Sequence, residues 1–187
     1  MRRLSHVVAT VTSVAVMSLL AGCGGDNPAP SAEPSEPSAA TKAAPAADPP
    51  SLPLQATRNT KAGAAAFVRH WVSVLNYAGE TGDTAELRSL STRDCVRCAA
   101  LWEGINGVYQ AGGRIEGGGW TVLGTKQYGP TQNRYFVDAF IRSGPQTLRS
   151  SSDAEAQRLP GVDRRLRAFV LKRVAVGWRV AELDPTA

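Results

Sequence analysis

The feature that most constrains this fold is a change of hydrophobic period at Gly119. Ahead of it, apolar residues recur at helical spacing; behind it they alternate, and a segment can satisfy only one of those periods with one buried face. Ala62, Ala65, Ala66, Val68, Trp71, Val72, Val74 and Leu75 predict a first helix, capped by Asn59 or Thr60 and stopping near Ala78-Gly79. A turn at Thr81-Gly82-Asp83 leads to a short helix with Asp83 or Thr84 as N-cap and Leu87 and Leu90 inward. A third helix starts within Ser91 to Asp94. Cys95, Val96, Cys98, Ala99, Trp102, Ile105, Val108 and Tyr109 form its apolar side, and Gly112-Gly113 end it.

Beyond Gly119, the segments Trp120 to Tyr128, Arg134 to Arg142, Arg167 to Val174 and Gly177 to Leu183 read as strands, with turns at Gly129-Pro130 and Val176-Gly177. Gly144 to Leu148 reads as a shorter strand, and the polar stretch Ser150 to Arg165 as a long loop with a helical turn at Asp153 to Gln157. Gly117-Gly118-Gly119 is read as a hairpin corner. Helices first and antiparallel strands after is an α+β order.

The chain ahead of this region follows a different logic. Met1 to His6 carries Arg2 and Arg3 without an acid, and Val7 to Leu20 is apolar or small. Leu20-Ala21-Gly22 then bring small residues before Cys23, which completes the pattern of a secretory signal. An apolar run of about 14 residues is shorter than the roughly 20 that a permanent bilayer span needs. Leu20-Ala21-Gly22-Cys23 resembles the lipobox of bacterial lipoproteins. The resemblance implies removal of residues 1–22 and a diacylglyceryl group, with its palmitate-type chains, on the Cys23 sulfur. The protein is then expected on the extracytoplasmic face of the cell membrane, its membrane partner reached through the anchor.

Residues 23–58 are dominated by Pro, Ala, Ser and Glu and are expected to be a disordered linker, because they have too little apolar surface to offset the entropy of ordering. At about 3 Å per residue, some 35 residues have an upper reach on the order of 100 Å. The folded domain is expected over 59–187, where 17 Lys and Arg stand against 12 Asp and Glu, a net of +5. Outside the cell, nucleic acid is not an expected partner, and anionic head groups or wall polymers suit that charge better.

Two sets of motifs point to a family. The helix order with Gly82-Asp83 and Leu87 between the first two helices is similar to the nuclear transport factor 2-like (SnoaL-like, cystatin-like) cone. Phe67-Val68-Arg69-His70-Trp71, Leu75-Asn76-Tyr77, Asp94-Cys95, Cys98, Tyr109, Gly112-Gly113 and Glu116-Gly117-Gly118 resemble a group of uncharacterised actinobacterial lipoproteins carrying a domain of unknown function. The resemblance implies N-terminal helices packed on a strongly bent antiparallel sheet. It supplies a fold and a location but no activity.

Candidate chemistry rests on few residues. Once Cys23 is assigned to lipid, Cys95 and Cys98 are the remaining thiols, and an even pair outside the cell points to a disulfide. Their spacing at a helix start also suits a dithiol redox site, where Arg93 and Arg97 would favour the thiolate. Zinc would need more soft ligands, so neither a metal nor a cofactor is expected. The cone resemblance implies a cavity for a small apolar ligand, with Trp71, Tyr77, Tyr109 and Asp138 as candidate lining residues, together with the aromatics Trp102, Trp120, Tyr135, Phe140, Phe169 and Trp178. Asp138 is read either as a buried carboxylate able to abstract a proton, as an isomerase or hydratase would require, or as an ion-pair partner of Arg134 or Arg142. His70 is the other acid-base candidate. The favoured reading is a tethered, non-catalytic binding or interaction domain, for a small ligand, an envelope protein or a second copy. The alternatives are an enzyme using Asp138 and an oxidoreductase using Cys95 and Cys98.

Overall fold

The computed structural model describes residues 48–175 and 177–184. The expected signal sequence, Cys23 and most of the expected linker lie outside the described residues, as do Val176 and the last three positions.

A 3-10 helix, Leu54–Thr57, opens the folded unit, and its Ala56 is fully buried. The domain thus starts before Asn59. Gly63 makes this contact, since a Cβ there would lie 2.0 Å from the Arg58 carbonyl oxygen. Helix α1, Lys61–Thr81, begins where the Thr60 hydroxyl accepts the Gly63 N–H at 3.0 Å. Phe67, Val68, Trp71, Val74, Leu75 and Ala78 make its buried stripe.

The expected stop at Ala78-Gly79 is one turn early. The Tyr109 hydroxyl reaches the carbonyls of Gly79 at 2.8 Å and Glu80 at 2.9 Å, groups otherwise left without partners at a helix end. Gly82 ends the helix in the left-handed region at φ 79°, with the Tyr109 ring packed where a Cβ would stand.

Helix α2, Ala85–Ser89, follows Asp83, whose carboxylate accepts the Ala85 N–H at 2.9 Å. Leu87 and Leu90 are buried as expected. Helix α3, Val96–Gln110, buries Cys98 and Ile105 but leaves Val96 78% exposed, so Val96 is not on its apolar side.

Among the described residues, seven strands form two antiparallel sheets. β1 (Arg114–Gly117), β4 (Gln146–Arg149) and β5 (Gln157–Leu159) make the smaller one in the order β1-β4-β5. β2 (Trp120–Thr131), β3 (Arg134–Ser143), β6 (Val162–Val174) and β7 (Gly177–Leu183) make the larger in chain order. The architecture is therefore mixed α+β. Register shifts at Val122/Gly124, Ile141/Ser143 and Val170/Leu171 are bulges of the kind that bend strands.

Gly129-Pro130 is not the turn. β2 runs through it to Thr131, which an edge strand permits because a missing N–H breaks no ladder bond. The chain reverses instead at Gln132 and Asn133, both at positive φ, 49° and 63°. The expected loop from Ser150 also departs from the structure, since β5 and the first half of β6 fall within it. Asp163 to Leu166 are all exposed, and without an alternation of burial the hydrophobic pattern has nothing to register.

Helix α1 lies on the inner face of the larger sheet, where Trp71 meets Phe169 edge to face at 5.5 Å and Tyr135 meets Trp178 at 4.8 Å. Val180 exchanges hydrogen bonds with Leu90 and Thr92 at 2.9 and 2.8 Å, so the segment after α2 covers the edge of β7. Every core residue lies between Ala56 and Leu183, which gives this unit its own core.

Candidate functional site

Asn76 on α1 and Trp120 at the start of β2 organise one concave part of the surface. The Asn76 amide donates to the Trp120 carbonyl at 2.9 Å and accepts the Trp120 N–H at 2.7 Å, so one side chain completes both backbone groups. The β1–β2 corner is pulled against the helix. Gly118 sits there at φ 78°, where a Cβ would collide with Gln146 at 2.7 Å.

Beneath this corner is a hollow of about 170 Å³ between α1, α3 and the corner itself. Leu75, Leu101, Ile105, Ile115 and Trp120 provide its apolar walls. Leu101 and Trp120 are shared with a second hollow of about 220 Å³, which also takes in Arg97, Arg167, Leu183 and Asp184. A third of about 530 Å³ shares Arg97, Leu183 and Asp184 and reaches Asp94, Cys95 and Glu182. The three form a trough along α3.

Trp120 stands at the middle of the trough. The Arg167 guanidinium lies 5.0 Å from its ring centre and pairs with the Asp184 carboxylate, whose other oxygen accepts the Ala168 N–H at 3.0 Å. Arg167 is therefore neutralised and fixed in place. Arg97 is exposed at the rim and forms no ion pair among the described residues.

Of the residues singled out from sequence, Trp120 lines the trough, while the others described next fall elsewhere. Trp71 is fully buried in the core, its indole N–H donating to Ser91 at 3.1 Å. Tyr77 is half-buried and does not line the trough, while Tyr109 caps α1. Asp138 faces away from the core: Tyr135, Val137, Ala139 and Ile141 are buried, so Phe136, Asp138 and Phe140 take the outer side. Its carboxylate accepts the Tyr128 hydroxyl at 2.9 Å and pairs with neither Arg134 nor Arg142. Aromatics on both sides of β3 hid this, because either phase of the alternation places rings inward.

His70 is buried among the helices with its Nε2 unpartnered among the described residues; desolvation lowers its pKa from 6.5, and Glu86 opposes that shift. The sulfurs of Cys95 and Cys98 are at disulfide-bonding distance and both residues are buried. Among the described residues no group of three or more His, Cys, Asp or Glu is placed to hold a metal, and no helix is long and apolar enough to cross a membrane. Asn76, Leu101 and Arg167, which make the trough, carried one usable signal: Asn76 follows Leu75 on a helix whose neighbouring positions are buried.

The profile of a family of unknown function, DUF6318, matches residues 36–181. The chain belongs to that family. Its match begins ahead of the DUF6318 domain's first described residue and covers all three helices. No curated protein matches the chain.

Similar solved structures include the intermembrane space region of the chloroplast protein ARC6, at 13% identity and a TM-score of 0.49 over 68% of this chain and 96% of that one. Aln2 from a Streptomyces species is 9% identical with a TM-score of 0.42, covering 65% of this chain and 88% of that one. A protein described as a calcium/calmodulin dependent protein kinase II association domain, from Xanthomonas campestris, is 11% identical with a TM-score of 0.41, over 74% and 92%. At these scores and identities the likenesses carry no argument about the DUF6318 chain's function.

Proposed function

We propose that this DUF6318 chain is an exported lipoprotein of actinobacterial type, anchored at Cys23 outside the cell membrane, whose cone-like domain binds a small ligand in the trough over Trp120 without catalysing a reaction. The observation that carries the binding reading is the apolar hollow of about 170 Å³ continuing past Trp120. A cavity on the order of 150 Å³ holds one benzene-sized group, so this apolar hollow suits a single ring or a short aliphatic chain. The wider end is left for the polar remainder.

Binding is favoured over catalysis because the polar groups next to Trp120 are already engaged. Asn76 is held by the Trp120 backbone and Arg167 by Asp184. Two observations count against the enzyme readings: Asp138 lines none of these three hollows, and Cys95 and Cys98 are both buried.

Native mass spectrometry on the protein released from membranes of its own exporting cell tests both halves of the reading. A retained small molecule that Leu101→Arg abolishes supports the trough, and a diacylglyceryl mass on Cys23 supports the anchor. A ligand-free protein, or a ligand kept by Leu101→Arg, would overturn the first. A mature chain whose Cys23 carries no diacylglyceryl mass would overturn the second.

A further inference from the structure

The outer face of the larger sheet has a composition unlike that of a merely solvated surface. Tyr128 and Phe136 are cross-strand neighbours 40% and 36% exposed, and Leu166, opposite Phe140, is 50% exposed. Around them the register places Lys126, Arg142, Arg164 and Lys172, all exposed. Lys126 lies 5.3 Å from the centre of the Tyr128 ring, and Arg164 lies 4.1 Å from that of Phe140. Among the described residues none of these four cations forms an ion pair. Both carboxylates of the face are engaged, Asp138 by the Tyr128 hydroxyl and Glu182 by Arg134.

We propose that this face is a docking surface for an anionic lipid bilayer, on which the domain lies with Tyr128, Phe136 and Leu166 in the head-group region and the four cations among the lipid phosphates. Charge decides against a second copy, since two such faces would bring eight unpaired cations together. A linear polyanion would satisfy the cations but would leave the aliphatic Leu166 in water. A bilayer interface accepts both kinds of group, aromatic and aliphatic side chains at head-group depth and cations at the phosphates.

The way into the domain agrees. Arg173, next to Lys172, donates to the Thr57 carbonyl at 3.1 Å, which holds the 3-10 helix against that end of the sheet. Leu52 and Leu54 beside it are 41% and 76% exposed. Only the nearness of the bilayer rests on the anchoring reading, through a tether on the order of 100 Å; the chemistry of the face does not.

The test separates the two. The chain from Gly24 onward lacks the lipidated cysteine and keeps the whole compact unit with its core. It is sedimented with vesicles of phosphatidylcholine alone and with vesicles of equimolar phosphatidylcholine and phosphatidylglycerol. Binding to the anionic vesicles only, weakening with salt, is expected. Each of Lys126→Glu, Arg142→Glu and Lys172→Glu is expected to lower partitioning about 5-fold or more, and Phe136→Ser or Leu166→Ser to lower it several-fold with unchanged melting.

Failure to bind anionic vesicles would overturn the proposal. So would competition by soluble polyphosphate together with no effect of Leu166→Ser, which would identify a linear polyanion as the partner. A dimer that Phe136→Ser dissociates would overturn it in favour of a second copy. None of these results bears on whether Cys23 is lipidated, which the mass carried on Cys23 decides.

Discussion

The two faces of strand β3 differ in what their polar groups are doing. On the inner side the strand contributes Tyr135, Val137, Ala139 and Ile141 to the core, and the cation held against Trp120, Arg167, is matched to Asp184. The outer side has aromatics and aliphatics in partial contact with water and four exposed cations without acidic partners. Partnered groups hold a shape. Unpartnered charges next to exposed rings leave interactions to be completed by something outside the chain, which is why the trough reads as a container and the outer face as a contact surface.

The sharpest way to break this contrast is one substitution on each side of the same strand. Val137→Asp puts a carboxylate into the core and is expected to destabilise the domain by about 4 kcal/mol or more. Phe136→Asp, one residue away, is expected to cost less than about 1 kcal/mol, and urea unfolding measures both. Similar losses would mean that the outer face is packed against something.

Next in size is Asn76→Leu. It leaves the Trp120 N–H and carbonyl without partners in a half-buried setting, for about 2–3 kcal/mol. The Trp120 fluorescence is expected to shift to the red as the corner loosens, whereas Ser73→Ala on the same helix should leave the spectrum alone.

The bond between Cys95 and Cys98 closes a very short loop, so replacing both by Ala is expected to cost about 2 kcal/mol on the chain-entropy account. Because both cysteines are buried, reduction of the native protein should be slow and should accelerate near the unfolding midpoint. Fast labelling of native thiols after mild reduction would return the redox reading to consideration.

The smallest effect concerns His70. Burial lowers its folded pKa below 6.5, so the unfolded chain binds more protons at mildly acidic pH. The stability linked to His70 is complete above about pH 6.5 and falls as the pH drops through the lowered folded value. His70→Leu is expected to flatten this part of the profile, measured as the difference in melting temperature between neutral and mildly acidic buffer.

Much of the fold was legible in sequence where burial is one-sided. The Thr60 cap, the inward Leu87 and Leu90, and strands β2, β3 and β7 follow from spacing, because each has one face in water and one in the core. β1, β5 and the first half of β6 left no such trace. They pair through backbone hydrogen bonds, and their side chains are mostly exposed.

The candidate site divides in the same way. Periodicity found rings but not their side of the sheet, so Asp138 was drawn toward a cavity by Phe136 and Phe140, which face outward with it. The Cys95 and Cys98 pair was readable because its spacing is local. The trough was not, since Leu75, Leu101 and Trp120 come from three separate elements.

By itself, the sequence determined the order of helices before strands, the basic balance of the domain and the nearness of the two cysteines. These depend on neighbours within a few residues. Only the tertiary structure decided that Asn76 completes the backbone of Trp120, that Arg167 meets Asp184, and that Lys126, Arg142, Arg164 and Lys172 share one face. Each of these is a meeting of positions far apart in the chain, set by strand register and helix packing rather than by local spacing.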